Sequence, residues 1–104
     1  MKEDSFKDFV FEQLRSVNSL RCKQMFGGYG LYDGSKFFGI ISKGRLYFKT
    51  DEISRNAYVE QGMKPFKPNN KQILKNYYEV PADVLEDRER ILEFAEKSIS
   101  IVVT

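Results

Sequence analysis

Residues 21–34 read Arg-Cys-Lys-Gln-Met-Phe-Gly-Gly-Tyr-Gly-Leu-Tyr-Asp-Gly. Three glycines in four positions, Gly27, Gly28 and Gly30, mark backbone that is bent, bulged or closely approached. Tyr29, Leu31 and Tyr32 are residues that favour a pleated, half-buried strand. Asp33-Gly34 is a hairpin signal. The stretch therefore predicts an irregular strand over 24–32, a tight turn, and a return strand.

Working outward, Phe37, Phe38, Ile40 and Ile41 predict a second strand over 36–42. Lys43-Gly44 predicts another tight turn. Arg45-Leu46-Tyr47-Phe48-Lys49 completes an antiparallel meander. On the N-terminal side, Phe6, Phe9, Val10, Leu14 and Val17 recur at helical spacing. They predict a helix over 5–18 with Ser5 as N-cap and Asp8 in the first turn. Beyond the meander, Thr50 or Asp51 is expected to cap a second helix. Ile53, Ala57 and Tyr58 would form its apolar stripe, with Gly62 and Pro65 as stop signals. Residues 64–71 read as a basic loop with at most a short strand near Phe66. Asn76–Val80 reads as a strand ended by Pro81, and 82–86 as one helical turn. Asp87 is then placed to cap a last helix carried by Ile91, Leu92, Ala95 and Ile99.

This order, α-β-β-β-α-β-β-α, predicts an α+β fold: two layers, an antiparallel sheet with helices packed on one face. With 104 residues and no linker or repeat, the chain reads as a single domain over 1–104. It can form one core without staples.

One cysteine, Cys22, excludes an internal disulfide and points to a reducing compartment. The first residues contain no apolar signal-peptide core, and no apolar stretch is long enough to span a bilayer. A cytoplasmic location and no membrane partner are expected. The apolar tail Ile99, Ile101, Val102 and Val103 suggests weak homodimerisation.

The net charge of +2 conceals a gradient. Residues 13–78 carry twelve Lys/Arg and four Asp/Glu, whereas 79–104 carry seven acids and three bases. Such a basic middle is either an electropositive face for an anionic partner or a balance of solvated charges. Interleaved aromatics give it a nucleic-acid reading through Tyr29, Tyr32, Tyr47, Phe48, Tyr77 and Tyr78, with Arg21, Lys23, Lys36, Arg45, Lys49 and Lys75. The same residues also suit an ordinary one-sided sheet.

Catalytic patterns are thin. Histidine is absent, which removes the commonest general base and transition-metal ligand. A lone cysteine has no imidazole to activate it. Asp51/Glu52 and Glu86/Asp87 fall where helices begin, so capping accounts for them. Gly27-Gly28-Tyr29-Gly30 lacks the ending of a P-loop and the spacing of a dinucleotide fingerprint. No catalytic residue, cofactor or metal is therefore assigned, and no enzymatic activity is expected.

Several motifs in order resemble the N-terminal domain of the TfoX/Sxy family. They are Arg21 to Tyr32 with its Met-Phe-Gly-Gly-Tyr-Gly-Leu-Tyr core, Phe9 to Leu14, Gly44 to Glu52, Gly62 to Phe66, Tyr77 to Pro81 and Val84 to Asp87. The resemblance spans about residues 6–97. It implies a two-layer α+β domain similar to secretion-chaperone-like domains. Longer members regulate natural competence, act with the cyclic AMP receptor protein, and carry a second, helical domain. This chain is expected to be a single-domain member. The resemblance implies a regulatory module, a transcription co-regulator that binds a protein partner such as a cyclic AMP receptor protein-like factor. The alternative is direct nucleic-acid binding by the basic middle. The residues assigned to partner contact are Arg21, Lys23, Tyr29, Arg45 and Lys49. Gly27, Gly28 and Gly30 are assigned a structural role.

Overall fold

The computed structural model describes residues 2–25 and 27–103, with side chains from residue 5 onward. Four hairpins and one crossover connect the strands of a single six-stranded sheet. The elements run α1 (Lys2–Gln13), β1 (Leu20–Met25), β2 (Gly28–Asp33), β3 (Lys36–Ser42), β4 (Arg45–Lys49), α2 (Arg55–Val59), β5 (Pro65–Asn69), β6 (Gln72–Glu79), α3 (Ala82–Leu85) and α4 (Arg88–Ser100). The sheet order is β1-β2-β3-β4-β6-β5, antiparallel at every pairing. The predicted α+β architecture and element order hold.

The stretch at 21–34 differs from its prediction in one respect. The irregular strand over 24–32 is two strands joined at a tight turn, with Met25 opposite Gly28. Gly27 turns the chain at φ +72°, a conformation in which a Cβ is disfavoured. Phe26, inside the predicted strand, lies outside the described residues. The next hairpins fall where expected. Lys43 (φ 53°) and Gly44 (φ 72°) both occupy the left-handed region, as a type I′ turn matching the sheet twist requires.

Other boundaries shift for identifiable reasons. The first helix ends at Gln13 rather than Asn18, and Ser5 lies inside it rather than at its cap. The helical segment begins at Lys2, three residues ahead of Ser5. Leu14 and Val17 keep their buried positions in the turns that follow. The second helix is only Arg55–Val59. Asp51 and Ser54 bond reciprocally instead: Ser54 N donates to Asp51 Oδ1 at 2.8 Å, and Asp51 N donates to Ser54 Oγ at 3.0 Å. Thr50 is occupied elsewhere, its hydroxyl donating to the Asn76 carbonyl at 3.0 Å. Ile53 and Ala57 are exposed, so Tyr58 alone of the expected stripe is buried. The basic segment read as a loop contains β5. Its prolines are tolerated because β5 is an edge strand. It also pairs with β6, which starts four residues earlier than the strand predicted from Asn76. Asp87 caps α4 as expected, accepting from the backbone N–H groups of Glu89 and Arg90.

The core lies between the helices and one face of the sheet. Val10, Leu14, Leu31, Phe38, Ile41, Leu46, Phe48, Val84, Ile91 and Ala95 are almost wholly buried there. Arg55 ties α2 to β6, donating to Asn76 Oδ1 at 3.0 Å while its guanidinium lies over the Tyr78 ring. Ile99 and Val102 pack against this core, and Val103 is exposed.

Candidate interaction surface

Cross-strand partners in a sheet share a face, so the register assigns each candidate. Leu31 opposes Gly39, Gly39 opposes Phe48, and Phe48 opposes Tyr78; this row faces the helices. Lys23 opposes Gly30, Gly30 opposes Ile40, Ile40 opposes Tyr47, and Tyr47 opposes Glu79. That row lies on the other, outer face. By alternation the outer face also receives Arg21, Met25, Arg45 and Lys49.

The structure thus brings Arg21, Lys23, Arg45 and Lys49 to one face. Tyr29 does not join them. It opposes Ile41, and the Lys7 ammonium of α1 sits 5.1 Å from its ring centre. Phe48 and Tyr78 of the nucleic-acid reading belong to the helix face as well. The outer face has its own aromatic set. Tyr32 and Phe37 lie 5.2 Å apart, Phe37 and Tyr77 5.5 Å, and the Lys49 ammonium 5.3 Å from the Tyr77 ring. Tyr47 lies 4.7 Å from Phe66. Ile40 is fully buried beneath this layer. The outer face is therefore covered by its own side chains, not an open platform.

Burial first, then the nearby Tyr32, pushes the Tyr77 phenol up to about 12. Tyr47 is raised by burial and by the Glu79 carboxylate, against the lowering effect of Arg45. Arg45 holds that carboxylate through Nη1, 3.0 Å from Oε1 and 3.1 Å from Oε2. A groove of about 430 Å³ opens beside this pair, lined by Arg45, Tyr47, Met63, Lys64, Pro65 and Lys67 among others. Lys64 and Lys67 were not among the predicted contact residues, because their segment read as a loop. Phe37 was likewise missed. Its signal was Tyr32 across the Asp33-Gly34 turn, once the register is known.

The glycines serve the same face. A Cβ on Gly28 would run into the Ile41 carbonyl oxygen. One on Gly30 would lie 2.7 Å from the Met25 sulfur and 3.0 Å from the Phe37 ring. Gly30 thus leaves the space that Met25 and Phe37 fill. On the helix side, a separate cleft of about 270 Å³ lies between α2 and α4, lined by Tyr58, Phe94, Ala57 and Lys97 among others. Tyr58 and Phe94 meet edge-on at 5.4 Å.

Cys22 is a free, exposed thiol. Among the described residues, no group of three or more His, Cys, Asp or Glu side chains is gathered as a metal site would need. No described helix is long and apolar enough to cross a membrane.

The model of the TfoX N-terminal domain matches residues 12–101. The chain belongs to the TfoX N-terminal domain family. This is a family of competence-related regulatory domains. The match includes the glycine-rich hairpin, the six strands described and the whole of α4. No curated protein matches the chain in sequence.

Proposed function

We propose that this TfoX N-terminal domain is a regulatory interaction module that works by binding a protein partner, with a transcription factor of the cyclic AMP receptor protein type as the expected class. The observation that carries the reading is the sorting of charge by the sheet. Arg21, Lys23, Arg45 and Lys49 lie together on the face opposite the helices, and Glu79 is the acid beside Arg45. On α4, which packs against the other face, Glu89, Glu93 and Glu96 are balanced by Arg88, Arg90 and Lys97. A cluster of cations on one sheet face favours encounter with an anionic surface over a cationic one. Action by binding, without chemistry of its own, is supported by the inventory: the chain has no histidine, and Asp51, Asp83 and Asp87 are engaged in turn, ion-pair and cap contacts.

Affinity capture from the native host, read by mass spectrometry, tests this. Wild-type protein should recover a transcription regulator, and the Arg21→Glu/Lys23→Glu/Lys49→Glu variant should recover less of it. Direct binding to DNA or RNA that weakens steeply with salt, as counterion release demands, with no protein captured, would replace this reading by the nucleic-acid one.

A further inference from the structure

The sheet has two edges of very different character. β5 forms one of them. It contains Pro65 and Pro68, which lack an N–H, and its register with β6 shifts twice. Such features block an incoming strand. β1 forms the other edge. It has no proline and no glycine, and six consecutive residues pair with β2 in unbroken register. Arg21, Cys22, Lys23 and Gln24 are all exposed. Cys22 and Gln24 oppose Leu31 and Tyr29 on the helix side, so β1 is uncovered on both faces over residues 21–24, while Leu20 packs against the core.

We propose that β1 is a docking edge at which an extended acidic segment of a protein partner adds as a further strand. The proposal deepens the protein-binding reading above and rests on it. Strand addition supplies main-chain hydrogen bonds, and side chains at alternate positions supply selectivity. Arg21 and Lys23 are such an alternate pair, about 7 Å apart on the outer face. Neither side chain has a hydrogen-bonding, ionic or ring partner among the described residues. Carboxylates at alternate positions of an added strand meet both cations in one register. A second copy of this chain is a poorer occupant, because pairing β1 with itself sets these cations against their own kind. A nucleic acid is also poorer: Tyr32, Phe37 and Tyr77 already contact one another, and Lys49 lies over Tyr77. Bases would have to displace those contacts before stacking.

Backbone amide exchange on the wild-type protein, read by NMR, tests the edge directly. The probe is a peptide alternating glutamate and valine. It should slow exchange within residues 20–25 by about tenfold or more, and slow reaction of the Cys22 thiol. The same peptide with alternate backbone N-methyl groups should lose this protection, as should a lysine–valine version. The Arg21→Glu/Lys23→Glu variant should invert the preference between the acidic and basic peptides. Equal protection by the N-methylated peptide would overturn strand addition. So would protection of residues 20–25 that rises with protein concentration alone, which would assign the edge to a second copy, or an oligonucleotide that perturbs Tyr77 and Lys49 while the acidic peptide does nothing. Recovery of a transcription regulator by the double variant at the wild-type level would sink the β1 edge and leave the regulatory reading standing.

Discussion

Ser98 of α4 donates its hydroxyl to the backbone carbonyl of Phe38 at 2.9 Å, and both residues are buried. Phe38 is where β3 steps out of register: Leu31 opposes Gly39 and Tyr32 opposes Phe37, so Phe38 has no partner in β2. The hydroxyl of the helix satisfies a carbonyl at the irregular point of the strand. Ser98→Ala should cost about 1–3 kcal/mol, since a buried acceptor is left without its donor. Ser100→Ala, on the same helix but exposed and bonded only to the Lys97 carbonyl, should stay within about 0.5 kcal/mol of wild type. Urea unfolding of the two variants checks the contrast, and equal losses would refute it.

The three glycines of the 27–30 segment should separate by mechanism. Gly28→Ala meets backbone, the Ile41 carbonyl oxygen, and the strands must part to admit it. It should be the most damaging of the three, at about 3 kcal/mol or more. Gly27→Ala has open space around its Cβ but stands at φ +72°, so it should cost about 1 kcal/mol through backbone strain. Gly30→Ala meets mainly the end of the flexible Met25 side chain. It should fall below Gly28→Ala, and Met25→Ala should partly rescue it. Thermal melts give the ranking directly.

The fold was legible where a local signal and the tertiary need agreed. Lys43-Gly44 and the flanking aromatic runs set β3 and β4 to the residue, because turn chemistry fixes hairpin register. The Gly27 turn was concealed because no Asn-Gly or Asp-Gly pair marks it, and the glycines on either side of Tyr29 suggested one bent strand. β5 was concealed by its prolines, which argue against a central strand but not against an edge. The side of the sheet on which each cation lies follows from alternation once the turns are known. That Tyr29 parts from Arg21 and Lys23 is the same parity rule, and it becomes readable only after Met25 and Gly28 are known to pair.

Stability should fall at both ends of the pH scale, for opposite reasons. Asp51 is held below the ordinary aspartate value by the backbone N–H and hydroxyl of Ser54, and Asp83 by the guanidinium of Arg90. A carboxyl depressed in the folded chain contributes stability that is present above its unfolded value and lost as pH falls through its folded one. Urea midpoints should therefore decline below about pH 4, and Asp51→Asn should flatten the decline. At the alkaline end Tyr77 is pushed up to about 12, by burial first, and Tyr58 is raised by burial. Their contribution is present below the ordinary tyrosine value near 10 and lost as pH rises toward the folded value. Tyr77→Phe should lessen the alkaline loss. A midpoint unchanged between neutrality and strong alkali would show these rings to be ionising freely.

The four outer-face cations should not behave alike when reversed, because they differ in what they touch. Arg21 and Lys23 have no side-chain partner among the described residues, so Arg21→Glu/Lys23→Glu should leave stability within about 0.5 kcal/mol of wild type. Lys49→Glu removes an ammonium from the Tyr77 ring face and places a carboxylate near its negative face; it should cost about 1 kcal/mol. Arg45→Glu sets two carboxylates together at Glu79. Its direct cost should be about 1 kcal/mol, because Arg45 is largely exposed although the Glu79 side chain is mostly covered. Its sharper signature is in Tyr47, whose phenol is raised by burial and by Glu79 and lowered by Arg45. Arg45→Glu should move that ionisation further up, and Glu79→Gln should move it down. Ultraviolet titration of the phenolate, with Tyr47→Phe to assign the transition, reads both shifts. If the two substitutions move Tyr47 in the same direction, the charge pair does not govern this part of the face, and the partner-binding role of Arg45 must be separated from its hold on Glu79.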